Sequence, residues 1–310
     1  MTTLQTLMSA PTPWLTDGGL ETTMIYHEGL DLPYFAAFTL LDSDIGRAAL
    51  TRYFQTYARI ARQAGTGLVL DTVTWRAGTT WGSVMGLDEA AIRRINHEAV
   101  AFGRTFRDAL EQDGLPILLD GVIGPSGDGY TIDRALSGDE SLVRHRVQVE
   151  ALAEAGVDLI TAVTMTHSGE ATGIVRAAQA AGVPVAVSFT LETDGKLPSG
   201  ETLGDAIKLT DTATGGEPVY YMINCAHPTH FMANLDGGWV TRIGGIRANA
   251  SRMSHAELDV ATELDPGDPA EFGALYRDMA ERLPNLKLIG GCCGTDHRHV
   301  GAASQHFHQG

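Results

Sequence analysis

The chain has 310 residues, 44% of them hydrophobic, which provides for a substantial buried core and argues against intrinsic disorder. Lys plus Arg number 22 against 38 Asp plus Glu, a formal net charge of −16 that argues against nucleic acid and anionic membranes as partners. The opening MTTLQTLMSAPTPW has no basic n-region and no apolar stretch long enough for a signal peptide. No segment approaches the ~18 uninterrupted apolar residues of a membrane helix, so a cytoplasmic protein is expected.

Short apolar runs alternate with amphipathic stretches along the chain. The first strand is expected at Trp14–Thr16, followed by a helix over Ile45–Ala64 with Leu50, Tyr53, Tyr57 and Ile60 at helical spacing. A strand at Gly67–Thr72 precedes a helix over Glu89–Leu110, and a strand at Pro116–Asp120 precedes one over Leu142–Ala155. Leu159–Val163 leads into Gly169–Ala181, and strands at Val183–Phe189, Val219–Asn224, Arg242–Arg247 and Leu286–Ile289 complete the set. Most of these runs lack alternation, as expected of parallel strands buried on both faces. EAGVDLI and QAAGVPVAV each place a Gly just past a helix and before a strand. Eight strands alternating with helices predict an α/β fold, a single (β/α)8 TIM barrel over residues 1–310. The rival is a doubly wound open sheet, which the absence of GxGxxG after the first strand and of a P-loop weakens. Leu191–Gly204 reads as a polar rim or lid loop. His297, His299, His306 and His308 read as a solvated tail.

Chemistry in such a barrel belongs at the C-terminal ends of the strands. There the chain carries its only three cysteines: Cys225 after the sixth strand, Cys292 and Cys293 after the eighth. An odd count suits a disulfide framework poorly, and a reducing compartment keeps thiols free. Three thiolates around one point suit Zn2+ and leave a fourth tetrahedral position open, the mark of a catalytic site. Adjacent strand residues point to opposite faces, so Cys292 and Cys293 can share an ion only if the backbone departs from strand geometry. Gly291 and Gly294 permit that departure. The alternatives are small buried hydrophobes, or a vicinal Cys292–Cys293 redox pair. His227 and His230 lie near Cys225 and are candidates for a fourth ligand.

A three-thiolate zinc would deprotonate an incoming thiol, whose free pKa near ~8.5 keeps it mostly protonated at neutral pH. The sulfur would then attack the methyl carbon of an onium donor, and aromatic faces at Trp75 and Trp81 suit such a cation. Asp17, beside Gly18 and Gly19, could hold the ammonium of an amino-acid thiol or cap the following turn.

The segments DGGLETT, LDTVTWRA, GVIGP, AGVDLI, SFTLETDGKLPSGETL, INC and GGCCGT, spread over almost the whole chain, resemble the homocysteine S-methyltransferases. That group includes betaine– and S-methylmethionine–homocysteine methyltransferases and the homocysteine module of cobalamin-dependent methionine synthase. The resemblance implies a (β/α)8 barrel, one zinc on Cys225, Cys292 and Cys293, and methyl transfer from a sulfonium donor to homocysteine, giving methionine. It also implies that Asp17 contacts the homocysteine amino group and that Asn224 and Asn249 line the pocket rim. Gly18, Gly19, Glu21, Thr74, Trp75 and Thr164 complete the candidate substrate-binding set. Expected partners are a small-molecule thiol and a methyl donor, with room for a homo-oligomer.

The chain departs from the family pattern at Val163, in TAVTMTHSGEA, where members carry a Glu that also holds the amino group. Such a charge-assisted contact is worth roughly 1.5–3 kcal/mol. Either Asp17 with Glu21 or Thr164 compensates, or the acceptor is another small thiol or selenol. Arg76 stands where an aromatic is common in the betaine enzymes and argues against a betaine-type donor pocket. The reading from another class is a non-enzymatic zinc or redox thiol protein.

Overall fold

The structure is a computed structural model that describes residues 1–132 and 134–308. Eight parallel strands close in sequence order: β1 (Trp14–Leu15), β2 (Leu68–Asp71), β3 (Ile117–Ile123), β4 (Leu159–Met165), β5 (Val185–Thr190), β6 (Tyr221–Asn224), β7 (Ile243–Ala248) and β8 (Leu288–Gly291). β1 pairs with both β2 and β8, setting Leu15 opposite Leu68 and Trp14 opposite Leu288, so the sheet has no free edge. Every strand expected from the sequence is present, with shifts of a few residues at the ends. The largest is in β3, which runs on through Asp120-Gly121 to Ile123. Those two residues look like a turn in sequence. Here the missing side chain at Gly121 leaves room for Leu152 and Val157 of the outer layer.

Helices Asp44–Ala64, Glu89–Glu111, Gly138–Ala155 and Ser168–Ala181 cover the strands. Ser43, Asp88 and Ser137 cap the first three with side-chain oxygens. Gly156 and Gly182 take φ of +83° and +69° at the helix ends, the left-handed stop that EAGVDLI and QAAGVPVAV announce.

The uniformly apolar strands hide an alternation. Leu68, Leu70, Ile117, Leu119 and Ile160 belong to the large core shared with the helices. Val69, Leu118, Leu159, Ala186, Met222 and Leu288 form a separate cluster inside the barrel. Further along the same inward rows the residues turn polar while staying buried: Asp71, Asp120, Thr161, Ser188, Asn224 and Arg247. The barrel is therefore oily at its N-terminal end and charged beneath its mouth.

Two terminal features differ from the sequence expectation. Thr3–Ser9 is a helix with a Thr2 capping box, and its Leu7 is fully buried in the inner cluster, plugging the N-terminal end of the barrel. The histidine-rich tail is a helix, His297–His308, rather than a solvated segment. Val300 and Ala303 pack into the core, and His299 is buried with Nδ1 against Asp296 at 3.1 Å and Nε2 against the Pro266 carbonyl at 2.7 Å. These two partners make His299 an interior residue, whereas His297 and His306 remain exposed. Among the described residues no helix is long and apolar enough to cross a membrane.

Leu7→Ala is expected to lower unfolding free energy by about 2–5 kcal/mol, because it opens a void at the barrel floor. Urea unfolding followed by circular dichroism checks this.

Candidate metal centre and substrate cavity

Cys225 follows β6 directly, and Cys292 and Cys293 follow β8. Their sulfurs all lie within 4.8 Å of one another, forming a group able to hold a metal ion. Cys225 and Cys292 are joined in a disulfide, with Cα atoms 5.4 Å apart, and Cys293 is free with its sulfur 4.0 Å from that of Cys225. The bonded pair is thus not the vicinal one weighed from sequence. Cys292 meets Cys225 because the ends of β6 and β8 converge across β7. Gly294 supplies the departure from strand geometry, with φ +76°. Gly291 does not take a positive φ; its missing Cβ leaves space for the Thr295 side chain.

Cys225 itself has φ +51°, a left-handed conformation rare for a side chain of this kind. It is fixed from both sides. Its N–H donates to the Arg247 carbonyl at 3.1 Å, and its carbonyl lies 2.6 Å from His255 Nε2. His255 Nδ1 in turn meets Glu192 at 3.0 Å. Tyr130 stacks on the His255 ring at 4.1 Å and brings its hydroxyl within 3.6 Å of both the Cys225 and Cys293 sulfurs. Burial and the neighbouring Cys293 hold the Tyr130 hydroxyl well above its usual pKa, so it stays protonated as a donor to sulfur.

Thr164 is the second left-handed residue at the mouth, φ +64°, beside an irregularity in the pairing of β4 with β5. Asn224 clamps it: Oδ1 accepts the Thr164 N–H at 3.0 Å and Nδ2 donates to Thr164 Oγ1 at 2.9 Å. Ser188 donates to the same Oδ1 at 2.6 Å. Asn224 is fully buried and does not line the cavity, so its place is beneath the rim.

A cavity of about 280 Å³ opens above the sulfurs. Asp17, Gly18, Gly19, Glu21, Trp75, Val163, Thr164 and Asn249 line it together with the three cysteines. Thr74 does not; its hydroxyl donates to the Val122 carbonyl at 2.7 Å and it is buried in the wall. His227 and His230 stand apart from the sulfur group: His227 Nδ1 accepts from the Thr229 N–H, and His230 Nε2 meets the Arg252 carbonyl. Trp81 is also outside the cavity lining, its indole N–H bound to the Pro125 carbonyl.

Asp17 is not a solitary carboxylate. Arg247 reaches across the barrel and pairs with Asp17 and Asp71, and its Nε donates to the Gly291 carbonyl at 3.2 Å. Burial, helped by the Asp71 and Glu21 charges, raises the Asp17 carboxyl to about 7 against the pull of Arg247. Glu21 has no hydrogen-bonded or ion-paired partner among the described residues, and burial raises its carboxyl as well. Asn249 Oδ1 is buried and unpartnered.

The family model described as homocysteine S-methyltransferase matches residues 14–307. The chain belongs to the homocysteine S-methyltransferase family. Its curated relatives include the homocysteine S-methyltransferase YbgG of Bacillus subtilis (strain 168), 28% identical over 232 residues, which cover 68% of this chain and 70% of that one. The homocysteine S-methyltransferase of Escherichia coli (strain K12) is 28% identical over 242 residues, covering 72% and 74%. Crystal structures of the homocysteine methyltransferase MmuM from Escherichia coli share the fold: the oxidized form superposes with a TM-score of 0.77 at 24% identity over 98% of this chain and 99% of that one. Its metallated form gives 0.74 at 23%, over 98% and 99%. As a family member the chain is a methyltransferase, and the family's substrates are small molecules, homocysteine and a methyl donor.

Tyr130, Arg247 and His255 were not singled out from sequence, and Arg76 was noted only as a departure from the betaine enzymes. The available signal was slight: an Arg closing an otherwise apolar strand, and an aromatic in the Gly-rich GPSGDGY that follows β3.

Asn224→Leu is expected to cost about 3–5 kcal/mol, because it strands the buried Thr164 N–H and two hydroxyls together. Chemical denaturation measures the cost. A loss below about 1 kcal/mol would show that the clamp is not needed.

Proposed function

We propose that this chain moves a methyl group from a sulfonium donor, S-methylmethionine or S-adenosylmethionine, to the thiol of homocysteine with zinc at Cys225, Cys292 and Cys293. The observation carrying this reading is the convergence of the three sulfurs at the floor of a cavity whose wall holds more carboxylates than guanidiniums. A set of three soft sulfur donors fits zinc, once the Cys225–Cys292 bond has taken up two electrons and two protons to give free thiols. Bound there, zinc would lower the pKa of an acceptor thiol and so supply a thiolate at neutral pH.

The chain's own residues do the remainder. Tyr130 donates toward the sulfurs and covers them on the cavity side. The acidic wall, with Glu21 and Asp128 among its members, attracts a cationic donor. Thiolate and sulfonium lose their charges together on reaction, so a site that excludes water favours the transition state. Arg247 already engages Asp17 through Oδ1, so the acceptor's ammonium falls between Asp17 and the unpaired Glu21. Val163 leaves the β4 side of the cavity without a carboxylate. The polar face for the ammonium is therefore on β1.

Protein reduced with a phosphine and dialysed against zinc is expected to retain about one ion per chain, and non-reduced protein far less. Cys293→Ser should cut retention at least tenfold. Metal analysis after gel filtration reads both, and equal zinc with and without reductant would sink the three-sulfur site.

Homocysteine offered with S-methylmethionine, S-adenosylmethionine or betaine tests the donor. Methionine should form from a sulfonium and not from betaine. No methionine from any of the three would overturn the homocysteine reading and favour another thiol or selenol acceptor.

Glu21→Gln should raise KM for homocysteine about 10- to 100-fold with kcat less affected, as expected for a lost charge-assisted contact. An unchanged KM would remove Glu21 from acceptor binding.

A further inference from the structure

We propose that Arg76 is the receptor for the α-carboxylate of an amino-acid substrate, a role that rests on the methyl-transfer reading above. Its guanidinium lies between two indoles, with Cζ 3.9 Å from the ring centroids of both Trp75 and Trp81. The sandwich is itself held in place. Trp81 Nε1 donates to the Pro125 carbonyl at 3.2 Å, and a Cβ on Gly124 would meet the Trp75 ring at 2.6 Å. Stacking fixes the plane of the guanidinium and leaves its N–H edge free to bond.

That edge is underused. Of five N–H donors, one makes a protein hydrogen bond, Nη1 to the Gly127 carbonyl at 3.0 Å. Nε is buried without a partner, and among the described residues no carboxylate comes within 4.0 Å of the group. A cation only 5% exposed with so few bonds is costly unless something else completes it. Arg247, the other cavity arginine, shows the contrast: its fork is filled by Asp17 and Asp71.

Arg76 lines the cavity, on the same wall as Tyr130, whose hydroxyl touches the sulfurs. Asp128, whose Oδ1 accepts the Tyr130 and Thr131 N–H groups, and Glu21, which no other residue bonds, are both close enough to act on its charge. The cavity therefore sets the Arg76 guanidinium near the Glu21 carboxylate, neither of them ion-paired within 4.0 Å to another described residue. An α-amino acid carries the complementary zwitterion, its ammonium matching Glu21 and its carboxylate matching the planar fork of Arg76. The same arrangement disfavours quaternary ammonium donors, because Arg76 already occupies the indole faces such a cation would use.

The test compares L-methionine, which has no thiol and needs no metal, with 3-(methylthio)propylamine, which lacks the carboxylate. Calorimetric titration of the full-length protein should show methionine binding about 10- to 100-fold tighter than the amine. In Arg76→Met that ratio should collapse toward one, with affinity for the amine unchanged. Arg76→Lys, which keeps a cation without the fork, should fall between and serves where the Met variant does not fold. In turnover, R76M should raise KM for whichever amino-acid substrate presents its carboxylate there, homocysteine or S-methylmethionine. A ratio in R76M equal to the wild type, or no change in either KM, overturns the assignment alone. Absence of methionine binding to the wild-type protein overturns it together with the methyl-transfer reading.

Discussion

The buried fork of Arg247 is the interaction on which the mouth of this barrel depends. Its two ends pair with Asp17 after β1 and Asp71 of β2, its Nε bonds the last residue of β8, and its own carbonyl receives the N–H of Cys225. One residue thus ties four strand ends together, including both that carry cysteines. Removing a buried charge partner is far costlier than never having had one, since the remaining carboxylates lose their compensation. The pairing also decides what is left for substrate. With Asp17 engaged, Glu21 is left as an unpaired carboxylate beside it, four residues on in the same DGGLETT segment.

Much of the fold was legible because periodicity and burial leave strong marks. The eight apolar runs, the Gly stops at 156 and 182 and the cysteine positions all lie in local sequence. The cysteine cluster was legible for a further reason: a barrel brings alternate strand ends together whatever lies between them. What stayed hidden was set by tertiary contacts. The inward rows become polar only where Asp71, Asp120 and Arg247 meet in space, and nothing local separates a strand-ending Arg that solvates from one that bridges. The disulfide partner of Cys292 follows from the approach of β6 to β8, not from spacing. Asn224 read as a rim contact from the family resemblance; in the structure it holds the left-handed Thr164. The tail histidines read as solvated because imidazole is polar; His297 and His306 are exposed, but His299 is buried against Asp296 and the Pro266 carbonyl.

Two cations in the cavity have opposite employment. Arg247 is saturated and organises the scaffold, while Arg76 is pinned between indoles with donors to spare. Trp75 and Trp81, read from sequence as cradles for an onium donor, turn out to cradle the protein's own guanidinium. Family membership fixes the class of reaction, and this local exchange of partners is where this chain sets its own substrate preference.

The plug formed by Leu7 has a consequence for traffic. With the N-terminal end stoppered by an apolar side chain, the cavity above the sulfurs lies at the opposite, C-terminal end of the barrel. On the proposed reading, acceptor and donor would then both approach the sulfurs from that C-terminal end. That direction is set in part at the far end of the barrel, by a residue outside the cavity lining.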